Sequence, residues 1–453
     1  MPADIVRAKS RYRFGVLALI TILLALSSGD RATLAIAGPN MSKSLGIDPI
    51  QMGWLFSSFA WAYVLAHLPA GWIVDKIGAK TTILASVVLW SLVTFLMSGV
   101  GLVAYPFLAM LLLRFLLGTF EAPVGPAAGR IIAAWFPSAE RGKAGAIFNS
   151  AQYVALVIFT PLMGFLDHRF GWEHIFSVMG VVGFIFAVAW TIFYYAPSEH
   201  PRISKSELEL IRSGGGLIEL SSKVQTTSPG HTGPSLSDIG ELFRSRMLVG
   251  VFISQYCVSS ITWFFVSWFP SYLVKGRGFS ILDASLVATI PAIAGFVGGV
   301  STGFISDWLL HRTESLSIAR KVPITIGLIM SSLIIGCNYV DSTAVIILLM
   351  SAAFFGKGFG SLGWTIVADT APKEIVGITG GVFNALGNTA GIVTPLAIGY
   401  ILSATGSFNG ALLYVGLHGL GAVLCYWFVV GPIQRLEIRK GSRLAQAEAV
   451  PAE

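Results

Sequence analysis

The sequence predicts an all-α polytopic membrane protein, with twelve transmembrane helices in two pseudo-symmetric six-helix bundles and both termini in the cytoplasm. Three observations predict this class. The composition is strongly apolar, with 54% hydrophobic and 12% charged residues and a mean hydropathy of +0.75 over 453 residues. Long apolar runs recur along the chain, and the two halves of the sequence repeat one another. No water-soluble core requires this much apolar sequence.

Twelve apolar runs are each about 20 residues long, the length that crosses roughly 30 Å of hydrocarbon. The runs are predicted at 14–36, 52–73, 81–100, 104–129, 144–166, 175–195, 247–272, 282–307, 322–340, 343–369, 377–403 and 409–431. The basic start of the chain resembles a signal peptide, but the first run continues past Asp30 and Arg31 without a small-residue cleavage site. It is therefore predicted to be a retained first helix.

The positions of the basic residues predict the orientation. Most of the 30 Lys and Arg residues lie at the two termini or in loops on the same side of the membrane. Outside the spans, the exceptions are Lys43, Arg169, Lys275 and Arg277. The positive-inside rule therefore places both termini in the cytoplasm. This asymmetry also accounts for the net charge of +7, so no nucleic-acid partner is predicted.

A long polar stretch divides the chain into domains. Residues 1–196 are predicted to form the N-terminal bundle, 197–243 a cytoplasmic linker, 244–435 the C-terminal bundle and 436–453 a cytoplasmic tail. Within the linker, Ser204 and Glu207 form a capping-box pattern ahead of apolar residues. The pattern predicts a short surface helix that ends at the glycines from 214 to 216.

Three matches between the halves predict a duplicated bundle. The segment from Gly71 to Asp75 matches Gly303 to Asp307, Pro137 with Phe148-Asn149 matches Pro372 with Phe383-Asn384, and Thr160-Pro161 matches Thr394-Pro395. The offset is nearly constant, at about 232 to 235 residues. In transporter folds built from such repeats, the substrate site lies near the midplane between the halves.

Five ionisable residues fall inside apolar spans. They are Asp30 and Arg31 in the first span, Arg114 and Glu121 in the fourth, and Lys357 in the tenth. Each such charge costs roughly 2.5 to 3.5 kcal/mol at a helix centre, so these residues are expected to face the bundle interior or an aqueous cavity. A permanent structural ion pair is the alternative for both pairs. For Lys357 the alternative is a lysine that snorkels or binds a carbonyl.

Several segments together resemble a known family. The loop from Gly71 through Asp75, Lys76 and Gly78 resembles the signature of the major facilitator superfamily between helices 2 and 3. The segments 29–38, 135–142, 148–153, 368–374 and 405–411 are similar to the anion:cation symporter family, and most like its bacterial D-glucarate/galactarate permeases. The likeness runs nearly end to end and is weakest in the linker and the last fifteen residues.

The resemblance implies a proton-coupled symporter of an organic anion and assigns roles to individual residues. Arg31 would bind a substrate carboxylate, with Arg114 nearby, and Asp30 and Glu121 would take up protons. Tyr63, Gln152, Trp364 and Asn384 match positions that contact the polyol in the family. Ordinary helix–helix hydrogen bonding is the alternative for each of these four.

Lys357 bears on the choice of substrate. An aldarate has a carboxylate at each end, so an arginine in one half and a lysine in the other match a dianion better than a monoanion. The sequence therefore predicts a proton-coupled importer of a sugar diacid, D-glucarate or galactarate, that acts by alternating access in the bacterial inner membrane. A carrier for galactonate, a hexuronate or an aromatic acid is the first alternative, and a nutrient sensor with a transporter fold is the second.

The remaining predictions concern gating and partners. Asp75, Lys76, Asp307 and Arg312 lie in the two signature loops and are predicted to form a cytoplasmic gate, with Arg130 as an available cation. No catalytic residues, metal site or cofactor are predicted, because no HExxH, GxSxG or clustered histidines occur. The expected partners are the sugar diacid, protons and the lipid bilayer, and a monomer is expected.

Overall fold

The computed structural model describes residues 10–218, 240, 242–372 and 375–436. The predicted tail and much of the linker therefore lie outside the described residues. Within those ranges the chain is helical and has no strand. The six long helices of the first half are α1 Tyr12–Leu45, α2 Pro49–Ile77, α3 Ala79–Met97, α4 Pro106–Trp135, α5 Arg141–Phe170 and α6 Glu173–Phe193. Those of the second half are α7 Arg246–Ser267, α8 Ile281–Thr313, α9 Leu316–Tyr339, α10 Thr343–Thr370, α11 Val376–Thr405 and α12 Asn409–Val429.

In the described part of the chain, eleven of these helices are long and apolar enough to cross a membrane. The exception is α2, which has 29 residues but includes Trp54, Trp61, Tyr63 and His67 among its apolar side chains. These residues lower its hydropathy without shortening it. The polytopic all-α class predicted from the sequence is confirmed. Several helices extend beyond the predicted spans, because helical structure continues into the polar flanks.

Each half packs as its own bundle around small side chains. In the first half α1 packs on α5, α3 on α6 and α2 on α4, while in the second α7 packs on α11, α8 on α10 and α9 on α12. Close approaches occur where a side chain is missing, since a Cβ on Gly118 would lie 2.3 Å from the carbonyl oxygen of Phe59. Small residues are the usual means of close helix packing in a membrane.

Two helices in equivalent positions of the halves have a proline inside them. Pro161 lies within α5 and Pro395 within α11. The fourth helix is also interrupted, because its first segment ends at Glu121 and its second begins at Val124, after Pro123. A proline removes a backbone donor and bends a helix. The interruption comes directly after one of the buried acids.

The linker contains the predicted surface helix, at Lys205–Ser213. Ser204 caps it by accepting a hydrogen bond from the backbone N–H of Glu207 at 3.2 Å. The reciprocal half of the capping box does not form. The Glu207 carboxylate accepts hydrogen bonds from the backbone N–H groups of Tyr12 and Arg13 at the start of α1 instead. Glu207 therefore joins the linker helix to the N-terminal bundle.

Candidate functional site

Two of the predicted charged residues form an ion pair between α1 and α4. The Arg31 Nε atom lies 2.9 Å from Glu121 Oε2, and the Glu121 side chain is 0% exposed. Ser27, one turn before Arg31 on α1, donates a hydrogen bond to the same carboxylate oxygen at 2.8 Å. The Glu121 charge is therefore held by one guanidinium and one hydroxyl, both from α1.

Asp30 and Arg114 are buried beside this pair with fewer partners. Both residues are 2% exposed. Asp30 Oδ1, Glu121 Oε1 and the Nε and Nη1 atoms of Arg114 are buried without a described hydrogen-bond partner. Two acids and two arginines thus share one buried cluster of balanced formal charge. Each acid has one free oxygen at which a proton can bind.

An aromatic side chain of α2 lies against both arginines. The guanidinium carbon of Arg31 is 5.1 Å from the centroid of the Phe59 ring and 5.0 Å from that of Tyr63. The guanidinium carbon of Arg114 is 5.3 Å from the Phe59 ring. A cation over an aromatic face within about 6 Å is attracted to it. Phe59 therefore helps to hold both cations, a role that could not have been expected from the sequence.

Arg31 also faces a cavity between the two bundles. The cavity has a volume of about 240 Å³. The residues that line it are Ser28, Arg31, Gln152, Tyr153, Leu156, Ser259, Thr262, Trp263, Val266, Phe354, Lys357 and Asn388. The first five belong to the N-terminal half and the other seven to the C-terminal half. Three residues that the sequence singled out, Arg31, Gln152 and Lys357, therefore share one cavity.

Lys357 is held by aromatic rings and has no ion pair with a described carboxylate. Its Nζ atom lies 5.2 Å from the centroid of the Phe354 ring and 5.9 Å from that of the Tyr153 ring. Aromatic faces hold an ammonium without neutralising it. The Lys357 charge is therefore available to an anion in the cavity, on the wall opposite Arg31.

The other predicted contact residues lie around the cavity and do not line it. Tyr63 packs beside Arg31, and Asn384 accepts a hydrogen bond from the Asn388 Nδ2 atom through its Oδ1 atom at 3.2 Å. Trp364 is 50% exposed and packs edge-on against Phe383. Arg114 and the two acids lie behind Arg31 in the buried cluster.

Sequence reasoning missed several of the lining residues. Asn388 comes one turn after Asn384, so helical spacing could have found it, whereas Tyr153 directly follows Gln152 and helical spacing alone does not place the two on one face. Ser259, Thr262 and Trp263 on α7 carried no such signal. Polar and aromatic residues are common in this chain, so their presence on α7 did not indicate a site. Whether these three side chains reach the cavity depends on how α7 packs against α11.

The predicted gate residues form separate contacts in each half. Asp75 pairs with Arg130 inside the N-terminal bundle, and Lys76 lies over the Trp72 ring at 4.8 Å. In the second half, Asp307 pairs with Arg320 at 3.7 Å. Arg312 instead lies over the Trp308 ring at 5.5 Å. Among the described residues, these contacts of Asp75, Lys76, Asp307 and Arg312 each lie within one bundle.

The bundles touch at the end of the molecule opposite the termini. There α2 packs along α11 and α5 packs on α8. A Cβ on Gly53 would lie 2.8 Å from the Pro395 carbonyl oxygen, and one on Gly164 would collide with the Ser285 side chain. Glycine therefore allows the two halves to close at this end.

The opposite end bears the termini and the linker. Among the described residues, the hydrogen bond between the halves joins Lys275 Nζ to Ser42 Oγ at 2.7 Å and lies at the end away from the termini. A Cβ added to Gly145 of α5 or Gly303 of α8 would meet no atom within 4 Å. The hydrogen bond and the close glycine contacts that join the halves are therefore at the end opposite the termini.

Comparison with known proteins identifies the family. Residues 20–334 match the family model of the Major Facilitator Superfamily. The chain belongs to this superfamily. As a major facilitator protein it is a multi-pass membrane transporter and not an enzyme.

Curated relatives of this transporter cover nearly its whole length. It is 49% identical to the probable galactarate/D-glucarate transporter GudP of Escherichia coli strain K12, over 96% of this chain and 97% of that protein. It is 48% identical to the probable galactarate/D-glucarate transporter GudP of Bacillus subtilis strain 168, over 95% of each chain.

Solved structures confirm the fold. A bacterial homologue of the human lysosomal transporter Spinster, in an inward-facing and occupied conformation, aligns with a TM-score of 0.70. The alignment covers 93% of this chain and 97% of that chain at 16% sequence identity. The major facilitator fold predicted from the signature loop is therefore confirmed.

Proposed function

We propose that this transporter imports a sugar diacid, D-glucarate or galactarate, together with protons by alternating access. The observation that carries the proposal is the cavity with one cation on each wall, Arg31 from the first half and Lys357 from the second. A diacid has two carboxylates, and each cation can hold one of them. The names of the relatives support the same substrate class.

The polar side chains of the cavity suit the hydroxyl groups of such a substrate. Gln152 and Asn388 present amides, which both donate and accept hydrogen bonds, and Ser259 and Thr262 present hydroxyls. Trp263 offers an aromatic face to the carbon chain. A polyol between two carboxylates can therefore be bound along its whole length.

The contacts of Arg31 support proton coupling. This arginine pairs with Glu121 and also lines the cavity. A substrate carboxylate that draws the guanidinium toward the cavity takes the counter-charge from Glu121, which then binds a proton. Affinities for anion and proton are coupled in this way, and the coupling is reciprocal. Asp30, beside the pair with a free oxygen, is the second proposed proton site.

The proposed orientation puts both termini in the cytoplasm of a bacterial cell, with the protein in the inner membrane. Most basic residues lie toward the termini, as the positive-inside rule requires. We propose that this structure represents the state that is open to the cytoplasm and closed to the periplasm. We propose that one chain is the transporting unit, since each chain contains both cavity walls.

Uptake into proteoliposomes tests the proposal. Labelled glucarate, galactarate, galactonate and glucuronate are supplied with and without an inward proton gradient. We expect the two diacids to accumulate, and only with the gradient. Equal accumulation without a gradient would exclude proton symport, and a preference for galactonate or glucuronate would favour the alternative organic-anion carrier. Counterflow separates a transporter from a sensor, because a sensor binds the acid without exchanging it.

A further inference from the structure

A second cavity lies at the lipid-facing surface, away from the substrate site. It is a groove of about 540 Å³ between the first turns of α1 and the end of α6 with the segment that follows. Among the residues that line it are Tyr12, Gly15, Ala18, Ile22, Phe193 and Arg202. We call it the α1–α6 groove. It opens at the level where the helices leave the membrane on the side of the termini.

The part of the groove that points into the membrane is apolar. Ile22 is 51% exposed and Phe193 is 65% exposed. The floor is formed by small residues, since a Cβ on Gly15 would meet no atom within 4 Å, and Ala18 lies one turn further along α1. Within the described residues nothing fills this space. Its shape and polarity suit an acyl chain.

The other end of the groove is aromatic. The rings of Tyr12 and His200 have centroids 4.4 Å apart, and those of Tyr195 and His200 are 5.7 Å apart. Burial lowers the pKa of His200, which disfavours the charged form of the ring. Tyrosine is typical of the membrane interface, where one end of its ring is wet and the other apolar. The aromatic residues therefore mark the depth of the lipid headgroups.

Two cations lie at this aromatic end without a carboxylate partner among the described residues. Arg202 lines the groove. Lys80 lies over the ring of Tyr195 at 4.6 Å. A basic pocket at the end of membrane helices suits an anionic headgroup.

We propose that the α1–α6 groove binds a phospholipid with an anionic headgroup from the leaflet on the side of the termini. One acyl chain lies over Gly15 and Ala18 between Ile22 and Phe193, and the phosphate lies near Arg202. The gradient from apolar floor to aromatic rim to cations follows the layers of one lipid leaflet. A second protein chain is a poorer fit, because the surface is a narrow slot with a charged end.

Native mass spectrometry of the full-length, delipidated protein tests the proposal. The protein is mixed with equal amounts of phosphatidylglycerol and phosphatidylethanolamine, and the bound lipid is counted. We expect one phosphatidylglycerol per chain in preference to phosphatidylethanolamine. Arg202→Gln should weaken phosphatidylglycerol binding about fivefold, the effect of one cation near a membrane surface. Arg169→Gln is the matched control, since this arginine is exposed at the opposite end and should change nothing.

A second variant tests the groove itself. Gly15→Leu adds a side chain to the floor, and its Cβ would meet no atom within 4 Å. The variant should therefore displace the lipid while thermal stability in detergent is maintained. Equal binding of both lipids, or equal loss in Arg202→Gln and Arg169→Gln, would overturn the proposal. Binding of phosphatidylglycerol only after deletion of residues 1–9 would also overturn it, because the groove would then hold the amino-terminal segment.

Discussion

Replacing Lys357 by glutamine should convert a diacid transporter into one that prefers monoacids. The substitution removes the positive charge from the second wall of the cavity and retains a polar side chain of similar length. Arg31 alone then remains to bind the two carboxylates of the substrate. A monoacid such as galactonate loses no charged contact, so its transport should be unchanged.

The size of the effect follows from the surroundings of Lys357. Its ammonium has two aromatic rings within 6 Å and no described carboxylate partner, so its charged contact must come from the substrate. A hydrogen bond to a charged group contributes about 1.5 to 3 kcal/mol. We therefore expect the KM for glucarate to rise roughly 10- to 150-fold, with little change for galactonate. The KM for glucarate should fall again if lysine is restored.

The assay is initial-rate uptake of both acids into proteoliposomes at a fixed inward proton gradient. Lys43→Gln is the matched control, because Lys43 is exposed near the closed end and does not line the cavity. An unchanged glucarate KM in Lys357→Gln would refute the role of Lys357. An equal loss for glucarate and galactonate would instead indicate a general defect of transport.

Three further predictions concern coupling, closure and the linker. Glu121→Gln mimics the protonated acid, so it should retain counterflow of glucarate but lose accumulation driven by a proton gradient; retained accumulation would exclude this site. Gly164→Val should collide with Ser285 at the end of the bundles opposite the termini. The clash should shift the conformational equilibrium away from closure at that end by about 1 to 3 kcal/mol. Spin-label distances between the halves at the end that bears the termini should then become shorter. Glu207→Gln should lower the free energy of unfolding by about 1 to 3 kcal/mol, because this buried carboxylate caps α1 and binds Arg13. The matched variant Glu209→Gln, at an exposed position, should leave the free energy of unfolding unchanged.

Much of the fold could be predicted because the bilayer imposes a simple length rule. Apolar runs and the repeated Thr160-Pro161 and Thr394-Pro395 segments were sufficient to give the class and the two halves. The helix ends were less predictable. Leu45, the last residue of α1, lies well beyond the predicted end at 36 because Pro39 and polar residues remain helical there. Hydropathy locates the part of a helix that lies in the hydrocarbon core, and it does not mark the polar ends where the helix continues.

The site was predictable where charge marks it and less so elsewhere. Asp30, Arg31, Arg114 and Glu121 were found because a charge in an apolar span is costly, and the structure does bring them together. Which of them faces the cavity could not be predicted. Arg31 and Arg114 have similar depths, and only the packing of α4 behind α1 leaves Arg114 inside the buried cluster.

The position of Arg31 between cavity and cluster gives the proposed mechanism its order of events. With the cavity empty, Glu121 and Ser27 hold the guanidinium, and the formal charges of the cluster balance. A diacid brings two negative charges into the cavity. Lys357 can balance one of them, and in the proposed mechanism a proton taken up by the cluster balances the other. An anion without a proton would leave an uncompensated buried charge, which is strongly destabilising. In the proposed mechanism the occupied cavity is therefore stable enough to change sides only when the proton accompanies the anion.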